Sequence, residues 1–119
     1  MLTAILGASD NPDRYSFKAN AMLTAHQRPV VLITPKYSEI DGVRCFKALA
    51  DVAQPIDTVT VYVNPSLIAA LVADILAVKP RRVIFNPGSE SRTAAAQLRA
   101  GGVEVVEACT LVMLSTGQY

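Results

Sequence analysis

Small residues follow the first apolar run of the chain: Gly7-Ala8-Ser9, then Asn11-Pro12, then a segment able to form a helix. That order suits an anion. A backbone with little side chain can approach an oxygen closely. The N–H groups of Ala8 to Asn11, the Ser9 hydroxyl and the start of the helix all offer donors, and a pyrophosphate is the natural guest. The stretch is not a full G-x-G-x-x-G fingerprint, because Ser9 and Pro12 stand where glycines would be needed.

The second informative position is Lys36, in Thr34-Pro35-Lys36 after the second apolar run. A chain that holds NAD wants a carboxylate there for the ribose hydroxyls, yet no acid occurs before Glu39. A cation favours a ribose that carries an extra phosphate. NADP, with its 2′-phosphate, and coenzyme A, with its 3′-phosphate, both qualify. Val63-Asn64-Pro65 and Asn86-Pro87-Gly88 follow two later apolar runs and again combine small or polar residues with proline.

Other chemistries are poorly furnished. The one histidine, His26, falls near the end of the first helix, at the wrong end of the domain. Ser9 and Ser89 have no histidine partner for a triad. The acids Asp10, Asp13 and Glu90 read as solvated or capping groups. A metal site would lack N and S ligands. Cys45 reads as structural. Cys109, just past the last strand, could exchange disulfides with a ligand thiol, although a buried structural role is the commoner fate of a free cysteine. No catalytic residue and no metal ligand is expected.

The elements that must position these groups follow from the apolar pattern. Strands are expected over roughly Thr3–Gly7, Val30–Thr34, Thr58–Val63, Val83–Asn86 and Val103–Val106, as apolar runs rather than alternating ones. Between them, Ser16 can cap a helix over Phe17–Gln27, with Ala19, Met22, Leu23 and His26 near one face. Tyr37–Arg44 reads as a polar loop turning at Asp41-Gly42, and Phe46–Ala50 as a short helix. Asn64-Pro65 supplies an N-cap and an N1 proline. The pairs Leu67/Ile68, Leu71/Val72 and Ile75/Leu76 then make one buried stripe. Ser89 can cap a helix that reaches Ala100 and stops at Gly101-Gly102. Leu111–Leu114 is expected to pack on the sheet edge as helix or strand. Alternating strands and helices argue for an α/β fold: a doubly wound parallel sheet of five strands, order 3-2-1-4-5, helices on both faces. Its switch point would fall between strands one and four, with ligands beyond the strand C-termini.

Composition agrees with one domain over residues 1–119. Hydrophobic residues make up 51% of the chain, enough for a sizeable core. The net charge of +1 gives no basic face for nucleic acid. No apolar run approaches the roughly 18 residues of a membrane span. No secretory leader is recognisable, and two distant cysteines fit a reduced, cytoplasmic protein.

Taken in order, these pieces resemble a family: the small standalone CoA-binding domain proteins of bacteria, Rossmann-like relatives of the CoA-binding domain in the succinyl-CoA synthetase alpha subunit. The pieces are Gly7-Ala8-Ser9 with Asn11-Pro12 and Tyr15; Thr34-Pro35-Lys36-Tyr37 with Glu39-Ile40 and Gly42; Ile56-Asp57-Thr58-Val59; Asn64-Pro65; and Asn86-Pro87-Gly88, then Gly102-Val103 and Cys109. The resemblance implies that the first loop wraps the CoA pyrophosphate. It implies that Pro35, Lys36 and Asn64-Pro65 flank the adenosine and its 3′-phosphate, and that Asn86-Pro87-Gly88 line the pantetheine side. Two positions depart from the family. Ser16 follows the tyrosine where a glycine is usual, and Asn86 replaces a glutamine. The phosphorylated histidine of the synthetases lies on a separate domain, so acyl-CoA ligase activity is not expected. The expectation is non-catalytic binding of coenzyme A or an acyl-CoA, as a sensor, carrier or regulatory protein, with room for a protein partner or a homo-oligomer. An NADP-binding redox subunit and an interaction module with a vestigial nucleotide site are the alternatives.

Overall fold

The computed structural model describes residues 1–119. The apolar runs form the parallel strands β1 (Leu2–Leu6), β2 (Val30–Ile33), β5 (Ile56–Val61), β6 (Arg82–Phe85) and β7 (Glu104–Glu107). Their alternate side chains enter two different cores. Ala4, Leu6, Val31, Ile33, Val59, Val61, Val83 and Phe85 belong to one, and Ile5 and Leu32 to the other. Burial on both faces is why these segments read as unbroken apolar runs.

Two strands were not expected. Residues 37–44, read as a polar loop, contain β3 (Glu39–Ile40), which pairs antiparallel with β4 (Val43–Phe46). Asp41 and Gly42 join them at φ of 50° and 77°. Positive φ at both central residues is the hairpin turn that Asp-Gly favours. β4 also runs parallel to β2, pairing Leu32 with Cys45 and Ile33 with Phe46. Phe46 is therefore strand, and the short helix that follows is one 3₁₀ turn, Leu49–Asp51.

That hairpin corrects the strand order. With the outer edge of β2 filled by β4, the chain crosses back and lays β5 against β1. The sheet has seven strands in the order β3-β4-β2-β1-β5-β6-β7. Ile56–Val61 stands beside β1, where Val83–Asn86 was expected. Counting only the parallel strands gives 3-2-1-4-5-6, the order of a Rossmann-like sheet. The crevice where connections depart in opposite directions lies between β1 and β5.

Helices cover both faces. α1 (Tyr15–Ala25) and α5 (Thr110–Ser115) pack together over the core of Ile5, Ala19, Leu23, Leu32 and Leu114. α2 (Pro65–Ile68), α3 (Val72–Val78) and α4 (Arg92–Ala100) cover the other. The expected stripe is kept by Ile68, Val72 and Ile75, all buried, but a tight turn at residues 69–71 splits its helix in two. Leu67 falls outside the stripe and is 58% exposed. The cap of α4 is Ser91, whose hydroxyl accepts from the Ala94 N–H, rather than Ser89. Ser16 is not a cap either; it lies inside the first turn of α1, buried. Leu111–Leu114 is helical, inside α5. Asp57 opens β5 and accepts two hydrogen bonds from the Arg81 guanidinium, at 2.9 and 3.1 Å. These bonds hold its carboxyl below the usual carboxylate range. Cys45 is buried on β4, and burial followed by the nearby Glu39 pushes its thiol up. No helix is long and apolar enough to cross a membrane.

Candidate functional site

One cleft of about 1040 Å³ opens across the C-terminal ends of the parallel strands. That is at the upper end of the range for small-molecule sites. It gathers residues from five strand ends: Gly7-Ala8-Ser9 after β1, Thr34-Pro35-Lys36 after β2, Lys47-Ala48 after β4, Tyr62-Val63-Asn64 after β5 and Asn86-Pro87-Gly88 after β6. Tyr15 and Ser16 close it from α1. Every candidate residue therefore lines the cleft except Asn11 and Pro65.

Gly7 shows why a glycine ends β1. Its φ is +91°, and a Cβ there would sit 2.9 Å from Val63 Cγ1 and 3.1 Å from the Tyr62 carbonyl carbon. The crevice between β1 and β5 is narrow at its floor, and only hydrogen fits.

The donors facing an anion differ in part from those expected. Gly7 and Ala8 donate their N–H groups to the Ile33 carbonyl, at 3.1 and 3.4 Å. Ser9 Oγ accepts from the Asn11 N–H at 3.1 Å, and Asn11 Oδ1 accepts from the Asp13 N–H at 3.0 Å. Asn11 thus shapes the loop instead of facing the cleft. The amides of Ser9 and Asp10 remain without a partner. So do those of Tyr15, Ser16 and Phe17, since Arg14 at the N-cap of α1 gives no side-chain cap. An 11-residue helix with an open first turn concentrates partial positive charge there.

Polar side chains elsewhere are partly committed. Asn64 Oδ1 caps α2 by accepting from Ser66 N and Ser66 Oγ, each at 2.9 Å, with Pro65 behind it at the first helical position. Thr34 Oγ1 accepts from the Lys36 N–H at 3.3 Å, which folds the Pro35 turn. Asn86 is 2% exposed. Its amide donates to Thr60 Oγ1 (2.7 Å) and the Val61 carbonyl (2.9 Å), and its oxygen accepts from Thr110 N (2.9 Å). It ties the ends of β5 and β6 to the start of α5, so its side chain has little left for a ligand. The Gly88 N–H is held by Glu90 Oε1 at 2.8 Å.

Charge is distributed unevenly. Asp13, Arg14, Lys36, Lys47 and Asp74 line the cleft. The ion pairs of the molecule all belong to Arg81, with Asp57 and Glu104, so Lys36, Lys47 and Arg14 carry no carboxylate partner. Sequence reasoning missed Lys47, because Phe46–Ala50 was read as a short helix rather than as the end of a strand and the segment after it. It also missed Tyr62, a half-buried residue of the cleft whose phenol oxygen is buried near Thr60 and Thr110. The Tyr37 phenol holds its proton more tightly than usual because of its hydrogen bond to Asp10. Cys109 does not line the cleft; it stands half-buried at the N-cap of α5. His26 is the exposed C-cap of α1, far along the helix from its open first turn.

A family model described as "CoA binding domain" matches residues 2–115. Solved structures share the whole architecture. An uncharacterized protein is 37% identical, with a TM-score of 0.93 over 99% of this chain and 97% of its own. A hypothetical protein from Pyrococcus horikoshii OT3 is 26% identical, with a TM-score of 0.89 over 96% of this chain and 81% of its own. The acetyl-coenzyme A synthetase 1 of Ca. Korarchaeum cryptofilum, solved with phosphate and ADP, contains the same fold. There the TM-score is 0.79 at 18% identity, over 90% of this chain and 25% of the synthetase.

Proposed function

The chain belongs to the CoA-binding domain family, and on that premise we propose that the cleft binds coenzyme A or an acyl-CoA and performs no chemistry on it. The observation that carries the reading is the pairing of two features in one cleft. Five amides are unpartnered beside the Gly7 turn, those of Ser9, Asp10, Tyr15, Ser16 and Phe17, and three of their residues, Ser9, Tyr15 and Ser16, line the cleft. Lys36 stands at the neighbouring strand end with no carboxylate of its own. The amides suit a pyrophosphate. The lysine suits a ribose phosphate, as a point charge. Partly exposed apolar residues of the same cleft, Val63, Leu67 and Leu71, offer a surface for an adenine ring. Pro87 and Gly88 leave an open path for pantetheine. The family match gives NADP no support.

A binding role is also favoured by what surrounds the ligand. The one histidine points away from the site, at the far end of α1. The Ser89 hydroxyl is held by the Asn86 carbonyl at 2.7 Å and the Val61 carbonyl at 3.1 Å, and neither it nor Ser9 has a histidine partner. A protein that holds coenzyme A without altering it would sense, carry or buffer it, or report its state to a partner.

Titration calorimetry of the purified chain tests the reading. Saturable heat is expected with coenzyme A at micromolar ligand, and weak or no heat with NADPH. Binding of NADPH ahead of coenzyme A, or of neither, would reject it. Mass analysis of any nucleotide released on denaturation identifies the acyl group.

A further inference from the structure

We propose that Lys47 is a specificity-determining residue of this cleft: with Lys36 it forms a two-cation clasp for a phosphate monoester on the ligand ribose. The inference rests on the coenzyme A reading above and adds a residue from a strand that the sequence pattern concealed.

The strand pairing brings the two lysines together. The last register pair of β2 and β4 is Ile33 with Phe46. Thr34 N then donates to the Phe46 carbonyl at 2.9 Å, which extends the ladder one step beyond the strands. Thr34-Pro35-Lys36 and Lys47-Ala48-Leu49 therefore leave the sheet side by side, one strand spacing apart, about 4.8 Å. Both segments line the same cleft. The Thr34 hydroxyl fixes the backbone turn that starts Lys36 on its way. Below Lys47, Leu49 is buried in the core and anchors the 3₁₀ turn.

Neither ammonium is neutralised within the protein. The carboxylates that line the cleft, Asp13 on the first loop and Asp74 on α3, pair with neither lysine. Nor does the molecule as a whole supply a diffuse positive field, since its net charge is only +1. Two free cations at adjacent strand ends are thus a local feature. A phosphate monoester carries between about 1.5 and 2 negative charges at neutral pH. One lysine matches half of that charge; two adjacent lysines match all of it. The pyrophosphate needs neither, because the open amides of the first loop and of α1 serve it. Lys47 should then act only on ligands that carry the ribose phosphate.

The test compares coenzyme A with dephospho-CoA, which differ by that one phosphate. Calorimetry is run on the full chain, as wild type, Lys36→Ala, Lys47→Ala and Lys47→Arg. Lys47→Ala should weaken coenzyme A about tenfold and leave dephospho-CoA within twofold. It should also flatten the salt dependence of coenzyme A binding. Lys47→Arg should restore most of the discrimination. Equal losses for both ligands, or no loss for coenzyme A, overturns the assignment. Lys47 is exposed, so unchanged thermal midpoints without ligand are expected of all variants. Wild type that binds no coenzyme A defeats the proposed function itself; wild type that binds it while Lys47→Ala does so equally well defeats only the clasp.

Discussion

At the scale of single residues, Gly7 and Lys36 do different work although both stand at strand ends. Gly7 is a geometric requirement. Its positive φ and the 2.9 Å approach of Val63 Cγ1 leave no room for a Cβ. Gly7→Ala should cost about 2–3 kcal/mol, from backbone strain together with a contact that one of the two strands must relieve. Urea denaturation measures this, and a loss below about 0.5 kcal/mol would contradict the crowding. Lys36 is exposed and carries no carboxylate partner, so its charge holds no other part of the fold in place. Asn64 and Asn86 are both committed within the fold, Asn64 as the cap of α2 and Asn86 between β5, β6 and α5. Asn86 was legible as a cleft residue from its place before Pro87-Gly88. That its amide would be consumed by Thr60, Val61 and Thr110 was not legible, because the partners lie 24 to 26 residues away and on separate elements.

At the scale of elements, the strands were readable and the caps only in part: Asn64-Pro65 opens α2 and Gly101 ends α4 as read, while Ser16 and Ser89 are not caps. Five apolar runs gave five strands within two residues at each end, because burial on both faces leaves an unbroken signal. β4 gave none. Of Val43-Arg44-Cys45-Phe46, only Cys45 is buried, and Arg44 lays its guanidinium over the Phe46 ring at 4.6 Å. A strand near the sheet edge needs few apolar residues, so its pattern fades into that of a loop. The serines of α4 show the same limit. The pattern put the cap at Ser89, but the β6 end draws Ser89 into the interior at 3% exposure, and Ser91 caps the helix instead. Substitution by aspartate separates them. Ser91→Asp keeps a capping oxygen at the helix start and should change stability by less than about 0.5 kcal/mol. Ser89→Asp buries a carboxylate against two carbonyl oxygens and should cost more than about 2 kcal/mol. Thermal denaturation of the two variants measures both, and equal effects would mean that Ser89 is not committed as described.

At the scale of the whole molecule, the missing strand mattered more than its four residues suggest. Without β4 the third strand had nowhere to go but the outside of β2, and β5 was displaced from its true place against β1. The same strand ends meet at one cleft in either order, because the strand C-termini lie on one rim of the sheet. Which residues share the crevice floor did not survive the error: Tyr62 and Gly7 are neighbours only when β5 flanks β1. That placement links the crevice to global stability. Burial pushes the Tyr62 phenol up to about 12. Thr60 and Thr110 temper the rise but bond to each other at 2.8 Å, leaving the phenol oxygen buried without a partner. In the unfolded chain a tyrosine ionises near 10. A group whose pKa is raised on folding stabilises fully below its unfolded value, and the contribution disappears as pH climbs through the folded one. Tyr62 therefore contributes fully below about pH 10 and loses its contribution between about 10 and 12, a difference of about 2–3 kcal/mol. Tyr62→Phe removes an unpaired hydroxyl and keeps the ring, so at pH 8 it should be neutral or slightly stabilising. Its stability should then fall less steeply than that of wild type as the pH rises from 9 to 12. Urea denaturation across that range decides the point: parallel alkaline limbs for the two proteins would mean that the phenol beside Thr60 and Thr110 is hydrated.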